Sequence, residues 1–227
     1  MNTFAGMRLA LARRSCKLPV QQRLLERALP PHRARIADIE LVALDFETTG
    51  LDPKRDHIIA AGWVLVRGDR ILMGSAREIR VRDDTPEGVG QSAVIHGILD
   101  SDLTDAEGGE SLVEKLLPEL ASRAIIAHAA AIERTFLNAL LRKLGGTAIL
   151  NPFIDTMALE RLLIEGNGGS VRDLSGEMTL AACRARRGLP EHQQHSAAAD
   201  AVAAAELFLA QLAHLGGAEK VKLSDLR

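Results

Sequence analysis

The sequence predicts an α/β fold, in which helices flank a mixed five-stranded sheet. Two observations predict it. Three strand-like segments follow one another with short connections, and helices and strands then alternate towards the C-terminus. A meander followed by such alternation is typical of a sheet with both antiparallel and parallel neighbours. The 227 residues are 47% hydrophobic and 26% charged, values that are ordinary for a globular protein with one core.

The first three predicted strands form the meander. Residues 39–46 are an apolar run rich in β-forming residues, which predicts a buried strand. Residues 57–66 and 70–81 have the same character and predict the next two strands. The short connection at residues 67–69 predicts that these two strands form a hairpin.

Helices and strands alternate in the second half of the chain. Leu112, Leu116 and Leu120 belong to a series of apolar residues at helical spacing, which predicts a helix over 110–123. The apolar residues 124–127 predict a short buried strand. The same patterns predict a strand over 148–154 and helices over 131–144, 156–164, 178–187 and 197–214.

The charge is distributed unevenly between the two parts of the chain. Residues 1–35 contain eight Lys or Arg and a single acid, Glu26, whereas the remainder has a net charge of −9. We therefore predict a basic N-terminal extension over 1–37, a domain over 38–216 and a C-terminal tail over 217–227. Within the extension, Val20, Leu24, Leu25 and Leu29 predict one short amphipathic helix. The extension either packs loosely on the domain or binds phosphates by counterion release.

Several classes of protein are excluded by composition. No apolar run approaches the 18 residues that a membrane span requires. Cys16 and Cys183 lie far apart, which excludes a disulfide scaffold and a CxxC zinc site. The sequence shows no secretory signal, so we expect a reducing, cytoplasmic location. Tyr is absent and Trp63 is the one Trp, which argues against a surface of stacked aromatic residues.

Two carboxylates stand at the end of the first predicted strand. Asp45 and Glu47 are two residues apart, so their side chains point to one face of the sheet. A Thr-Thr-Gly turn follows them, and sites in such sheets are built at strand ends. Two other D-x-E triplets in the chain lack this context.

Two further carboxylates lie on the apolar stripes of predicted helices. Glu133 and Asp200 are each followed by apolar residues at +4, +7 and +8. A preference of acids for helix N-termini explains their position along the helix but not the face. A carboxylate on an apolar stripe is costly unless it is paired or binds metal. Four inward-facing carboxylates therefore indicate hard divalent cations such as Mg²⁺ or Mn²⁺.

Three sequence motifs resemble those of a known family. The motifs are Asp45-Phe-Glu47-Thr-Thr-Gly50, Ile-Ile-Ala-His128 with Glu133 and Phe136-Leu137, and His195-Ser-Ala-Ala-Ala-Asp200. With these motifs the chain is similar to the DEDDh 3′–5′ exonucleases, in particular to the proofreading (epsilon) subunit of bacterial DNA polymerase III and its stand-alone relatives. The resemblance spans about residues 38 to 214 and implies the ribonuclease H-like fold.

The resemblance implies a two-metal hydrolysis that releases nucleoside 5′-monophosphates from single-stranded DNA or DNA 3′ ends. It makes His195 the general base, a role that suits an ordinary pKa near 6.5. It assigns two Mg²⁺ or Mn²⁺ ions to four carboxylates, those of Asp45, Glu47, Glu133 and Asp200. The residues that it implies for the terminal nucleotide are Thr48, Thr49, Gly50 and His96.

The second motif departs from the family pattern at two positions. Glu133 stands where the family usually has Asp, and its longer side chain affects the geometry of the second metal. Ala129 stands where the family usually has Asn, which concerns local hydrogen bonding. Two alternatives stay open: an exoribonuclease acting on RNA or short oligoribonucleotides, and a non-catalytic module that binds nucleic acid or a polymerase-like partner. A polymerase-binding tail is not evident after residue 214, which disfavours a core subunit of a replisome.

The remaining distinctive residues are predicted to be structural. His128 ends a buried strand, and Cys183 and Trp63 lie on apolar faces, so we expect all three in the core. His57 and His214 are predicted at the surface. The basic cluster of Arg184, Arg186 and Arg187 predicts either a solvated helix end or a contact with the nucleic-acid backbone.

Overall fold

The computed structural model describes residues 3–82, 103, 106–166, 177–192 and 196–226. Within them, five strands form one sheet with the order β3-β2-β1-β4-β5. β1 pairs antiparallel with β2, β2 pairs antiparallel with β3, and the pairs β1–β4 and β4–β5 are parallel. This arrangement confirms the predicted mixed sheet. The strands are β1 (Glu40–Thr48), β2 (Ile58–Arg67), β3 (Arg70–Arg80), β4 (Ala124–Ala127) and β5 (Phe153–Asp155).

Helices cover both faces of the sheet. Along β1, Val42 and Leu44 face a core shared with α2, α3 and α4, whereas Leu41 and Ala43 face a core that includes Phe208 of α7. This alternation is the period of two that a strand imposes on its side chains. The helices are α1 (Thr3–Ser15), α2 (Pro19–Glu26), α3 (Gly109–Leu120), α4 (Ala131–Lys143), α5 (Thr156–Gly166), α6 (Leu180–Arg186) and α7 (Ala197–His214). Trp63 and Cys183 are buried, as predicted.

The fifth strand is shorter than the sequence predicts. The predicted strand covers 148–154, but only Phe153–Asp155 pairs in the sheet. Before β5, side-chain oxygens accept the hydrogen bonds of the backbone N–H groups. The backbone N–H of Thr147 donates to the Gln21 amide oxygen at 2.8 Å, and that of Ile149 donates to the Asn138 amide oxygen at 2.8 Å. These local hydrogen bonds replace the strand ladder, and periodicity does not reveal them.

The N-terminal segment is a folded part of the core, so the prediction of loose packing is wrong. Leu24 and Leu25 of α2 are buried in the same cluster as Leu112 of α3. The Gln21 side chain accepts from the backbone of Thr147 and donates back to its carbonyl oxygen at 2.7 Å. The helix ends at Glu26, before Leu29, which the sequence places on it.

The C-terminal segment also packs on the sheet. Val221, Leu223 and Leu226 are buried in the core on the α7 side. The backbone N–H of Ile36 donates to the Val221 carbonyl oxygen at 3.0 Å. Ile36 and Val221, which the sequence assigns to the extension and the tail, thus meet in the same core. None of the helices in the described ranges has the length and hydropathy needed to cross a membrane.

Candidate active site

Asp45 and Glu47 lie at the C-terminal end of β1. Both point to the face that carries Leu41 and Ala43, as the two-residue spacing predicts. β1 runs parallel to its neighbour β4, so the C-terminal ends of the two strands meet at one edge of the sheet. Glu47 is only 5% exposed. Two acids are thereby held at a largely dry strand end.

The N-terminus of α7 brings Asp200 to these acids through a close approach at Gly62. Gly62 is the partner of Asp45 on β2. A Cβ atom at Gly62 would lie 2.0 Å from the carbonyl carbon of Ala197 and 2.1 Å from the nitrogen of Ala198. Only glycine therefore lets the first turn of α7 rest on the sheet here. Sequence reasoning missed Gly62, although a glycine inside an apolar strand is itself a signal of close backbone approach.

Glu78 on β3 binds the N-terminal end of α7. Its carboxylate accepts hydrogen bonds from the Ser196 hydroxyl at 2.8 Å and from the backbone N–H of Ala198 at 3.0 Å. A carboxylate at a helix N-terminus is favoured by the helix dipole. Asp200 lies in the first turn of this helix, so Glu78 helps to fix its position. No sequence motif marks Glu78, because its role depends on a contact between residues 118 positions apart.

The structure brings three of the four predicted carboxylates into one cluster. Asp45, Glu47 and Asp200 each offer an oxygen, and these atoms all lie within 4.8 Å of one another. Burial raises the pKa of Asp45 well above its usual value, and the negative charges of Glu133, Glu47, Asp200 and Glu78 raise it further. The cluster therefore concentrates negative charge that a cation could compensate.

Glu133 is buried beside this cluster without being part of it. Its side chain is 3% exposed, and its Oε2 atom has no hydrogen-bond partner among the residues that the structure describes. Burial, with a smaller contribution from the charge of Asp155, raises the pKa of Glu133 to about 8. A buried carboxylate oxygen without a partner is costly. An all-oxygen donor set with such an orphan atom fits a hard divalent cation.

Asp155, at the end of β5, positions the turn that leads to Glu133. Its carboxylate accepts hydrogen bonds from the backbone N–H groups of Ala129 at 3.1 Å and Ala130 at 3.2 Å. It also accepts from the backbone N–H of Met157 at 2.9 Å in the first turn of α5. One carboxylate therefore ties the start of α4 to the start of α5.

Ala129 adopts a conformation that is unusual for alanine. Its φ angle is +58°, in the left-handed region that Asn and Gly enter more readily than other residues. The family's usual Asn is therefore the residue that this backbone favours. The departure of Ala129 from the family pattern thus has a conformational consequence.

The Thr-Thr-Gly turn is braced by its own hydroxyl groups. The Thr48 hydroxyl donates to the Gly50 carbonyl oxygen at 2.7 Å, and the Thr49 hydroxyl accepts from the backbone N–H of His57 at 3.0 Å. A Cβ atom at Gly50 would lie 2.5 Å from the Asp56 carboxylate. Thr48 is buried, whereas Thr49 and Gly50 are half-buried beside the carboxylates. Two predicted site residues, His96 and His195, lie outside the described residues.

A different histidine contacts the cluster. Nε2 of His192 lies 2.7 Å from Oδ1 of Asp200. His192 lies eight positions before Asp200, a spacing that matches no part of the family motif, so no sequence signal marks it. The neighbouring backbone is fixed by Arg184, whose guanidinium donates to the Pro190 carbonyl oxygen at 3.1 Å.

The arginines at the C-terminal end of α6 form ion pairs with neighbouring helices. Arg184 is 2% exposed and contacts the Glu206 carboxylate at 2.7 Å. Arg187 and Arg186 contact the fully buried Glu160 at 2.9 and 3.4 Å. These pairs join α6 to α5 and α7. The prediction of a solvated helix end is therefore wrong for Arg184, whereas the Arg186 side chain stays 26% exposed at the end of α6. A contact of this cluster with the nucleic-acid backbone stays a prediction.

His128 has the structural role that the sequence predicts. Its Nδ1 and Nε2 atoms lie 2.9 Å from the Thr156 hydroxyl and 2.8 Å from the Met178 carbonyl oxygen. Burial lowers the pKa of His128 below its usual value. A largely buried neutral imidazole with both nitrogens engaged connects β4 to α5 and to the segment before α6.

Comparisons with known proteins match most of the chain. A sequence model described as "Exonuclease" matches residues 42–208. The "DNA polymerase III PolC-type" of Thermotoga maritima is 30% identical over 195 residues, which cover 83% of this chain and 13% of that protein. The "DNA polymerase III subunit epsilon" of Rickettsia prowazekii is 27% identical, over 77% of this chain and 75% of that subunit.

Solved structures share the fold. The nuclease domain of 3′hExo, "a DEDDh family member, bound to rAMP", has a TM-score of 0.64 and 14% identity over 83% of this chain and 94% of that one. The matched residues 42–208 include Asp45, Glu47, Glu133 and Asp200. The chain therefore belongs to the exonuclease family, as its three motifs predict.

Proposed function

We propose that the chain is a 3′–5′ exonuclease that uses two Mg²⁺ or Mn²⁺ ions and releases nucleoside 5′-monophosphates from single-stranded DNA or DNA 3′ ends. The observation that carries the proposal is the cluster of Asp45, Glu47 and Asp200, with ligand oxygens within 4.8 Å of one another. The buried Oε2 atom of Glu133 beside it, which has no hydrogen-bond partner among the described residues, supports a second cation.

The four carboxylates divide between the two ions. Asp45, Glu47 and Asp200 would hold one ion, and Asp45 and Glu133 would contribute to holding the other. When bound, such a pair of cations activates water and stabilises the charge on the attacking and leaving oxygens. Glu78 and Gly62 keep the start of α7 on the sheet, so that Asp200 stays in reach of Asp45.

The remaining steps fall to side chains around the carboxylates. His195 would accept a proton from the attacking water, because an imidazole with an ordinary pKa is partly neutral near pH 7. Thr48, Thr49 and Gly50 would contact the terminal nucleotide, and His96 would line the same pocket. Hydrolysis forms a bond from the water oxygen to phosphorus and breaks the bond to the 3′-oxygen of the preceding nucleotide, so each cycle leaves a new 3′-hydroxyl.

DNA is the favoured substrate, and RNA is the second candidate. Of the two relatives described above, one is named as a DNA polymerase III and the other as a subunit of DNA polymerase III, whereas the solved DEDDh neighbour is bound to rAMP. The carboxylates cannot separate the two substrates, because discrimination depends on contacts to the 2′-hydroxyl. Association with a polymerase and a cytoplasmic location stay predictions.

The test is hydrolysis of matched 3′-tailed DNA and RNA strands with Mg²⁺ or Mn²⁺ and with EDTA. We expect stepwise release of 5′-monophosphates from DNA with metal and none with EDTA. Asp45→Asn and Asp200→Asn should each lower kcat at least about 100-fold, because each removes a charge on which the metal site depends. Asp69→Asn, at an exposed turn, is the control and should leave the rate unchanged.

Three outcomes would contradict the proposal. Turnover in EDTA would exclude metal dependence, and full activity of both Asp variants would exclude the carboxylate cluster. If neither strand type gives a product with metal, the non-catalytic binding module replaces the enzyme. Release from RNA alone would retain the mechanism and change the substrate.

A further inference from the structure

A groove lies on the α4 side of the sheet, next to the candidate active site. Its volume is about 430 Å³. One wall is a single face of α4, with Phe136, Leu140 and Lys143 at helical spacing. The other wall includes Lys54 and His57, which follow the Thr-Thr-Gly turn. A groove lined by cationic side chains is typical of a surface that follows a nucleic-acid backbone.

The groove begins where the carboxylates end. Phe136 is one helical turn after Glu133 on α4. In the wall that carries His57, the backbone N–H of His57 donates to the Thr49 hydroxyl, and the His57 carbonyl oxygen accepts from the backbone N–H of Thr49. Asp56 also lines the groove, but its carboxylate accepts a hydrogen bond from the backbone N–H of Asp52 at 2.7 Å. A strand bound at the carboxylates could therefore enter this groove directly.

Exposed cations continue from the groove onto the N-terminal helices. Arg142 and Lys143 end α4. Lys17 lies near this helix end, because its backbone N–H donates to the Gly145 carbonyl oxygen at 2.9 Å. Arg14 lies one turn before Lys17, at the end of α1. Within the described part of the chain, the side chains of these four residues and of Lys54 form no hydrogen bond or ion pair. We call Lys54, Lys143, Arg142, Lys17 and Arg14 the basic track.

We propose that the basic track binds the sugar–phosphate backbone of the nucleic-acid strand, upstream of the 3′ end that the carboxylates hold. The inference rests on the proposed function and assigns a role to the positive charge of residues 1–35. Ten residues of α4 separate Glu133 from Lys143, a rise of about 15 Å. At about 3.4 Å per stacked nucleotide, that distance corresponds to roughly four nucleotides. A dinucleotide therefore ends before Lys143 and before Lys17 and Arg14 beyond it, whereas a strand of about 12 nucleotides reaches them.

The test compares two charge-reversal variants of the full chain. Arg14→Glu/Lys17→Glu alters the track, and Arg161→Glu/Lys220→Glu is the control, with the same change in net charge on exposed residues of α5 and the C-terminal segment. The probe is a 5′-fluorescein-labelled oligothymidylate of about 12 nucleotides in EDTA, followed by fluorescence anisotropy between about 50 and 200 mM salt. Hydrolysis of a thymidine dinucleotide with Mn²⁺ is measured in parallel.

We expect the track variant to bind the long probe at least about tenfold more weakly than the control. Each lost phosphate contact should reduce the slope of log Kobs against log[salt] by about 0.7, so the double variant should lose about 1.4. Its kcat/KM on the dinucleotide should match the control, because that substrate does not reach Lys17 and Arg14.

Equal affinities and salt slopes of the two variants would overturn the proposal. It would also be overturned if the track variant kept its DNA affinity but lost binding to phosphatidylserine vesicles, because the cations would then serve a membrane surface. The failure of the proposed function is separate from these outcomes. It would appear as no hydrolysis of either substrate by the unaltered chain, whatever the anisotropy shows.

Discussion

Ala129 stores conformational strain at the entrance to α4. Its φ of +58° costs an L-residue without a helpful side chain about 1 kcal/mol. We expect Ala129→Asn to increase the free energy of unfolding by about 0.5 kcal/mol, because Asn tolerates this region better. Ala129→Val should decrease it, since a β-branched side chain is disfavoured there. Urea unfolding of the three proteins measures both, and a less stable Asn variant would contradict the expectation.

The buried carboxyl of Glu133 should make the stability of the metal-free protein depend on pH. Its pKa is about 8 when folded and near 4.5 in an ordinary environment. Between these values the unfolded chain has lost the proton that the folded chain keeps, so stability falls as pH rises. The slope for this one group is at most about 1.4 kcal/mol per pH unit.

Thermal unfolding in EDTA across this pH range tests the effect, with Glu133→Gln as the comparison. We expect the Gln variant to gain stability over the unaltered chain as pH rises from about 5 to 8, because an amide does not titrate. Added Mn²⁺ should stabilise the unaltered chain more than the variant. Parallel pH profiles of the two proteins in EDTA would show that Glu133 does not carry the shift.

The contact between β2 and α7 decides where Asp200 lies, and one glycine permits it. Gly62→Ala would bring a Cβ atom within 2.0–2.2 Å of the backbone of Ala197 and Ala198. The helix must then move off the sheet, so we expect a loss of more than about 2 kcal/mol in stability and a loss of hydrolysis. Gly74→Ala, on β3, meets open space and is the control; it should change stability by less than about 0.5 kcal/mol. Full activity of Gly62→Ala would contradict this account.

The sequence predicted the elements that carry the acids better than the contacts that place them. The two-residue spacing of Asp45 and Glu47 at the end of the apolar run 39–46 put both on one face of a strand, and the apolar pattern over 197–214 predicted the observed bounds of α7. Both signals are local and periodic. Glu78 acts through a partner 118 residues away, and Arg184 is neutralised by Glu206 on another helix. Such pairs depend on how the elements pack, which periodicity along one element does not encode.

Packing between elements also explains why the N-terminal segment differs from the predicted loose extension. Its eight Lys and Arg suggested a loose arm, because charge dominates its composition. In the fold, the apolar face of α2 packs on α3 while the cations stay outside. The segment therefore serves two purposes at once. It completes the core on the α4 side, and it presents the positive surface that we assign to the nucleic-acid strand.

If the N-terminal segment is part of the core, its apolar residues should contribute to stability according to their burial. Leu24 is 7% exposed and packs in the main core, whereas Leu29, only five residues later, is 37% exposed. We expect Leu24→Ala to reduce the free energy of unfolding by about 2–4 kcal/mol through lost burial and the cavity left behind. Leu29→Ala, the control, should cost less than about 1 kcal/mol. Urea denaturation followed by circular dichroism measures both. Equal and small effects would mean that the segment is attached loosely, whereas a selective loss at Leu24 would tie its folding to that of the sheet.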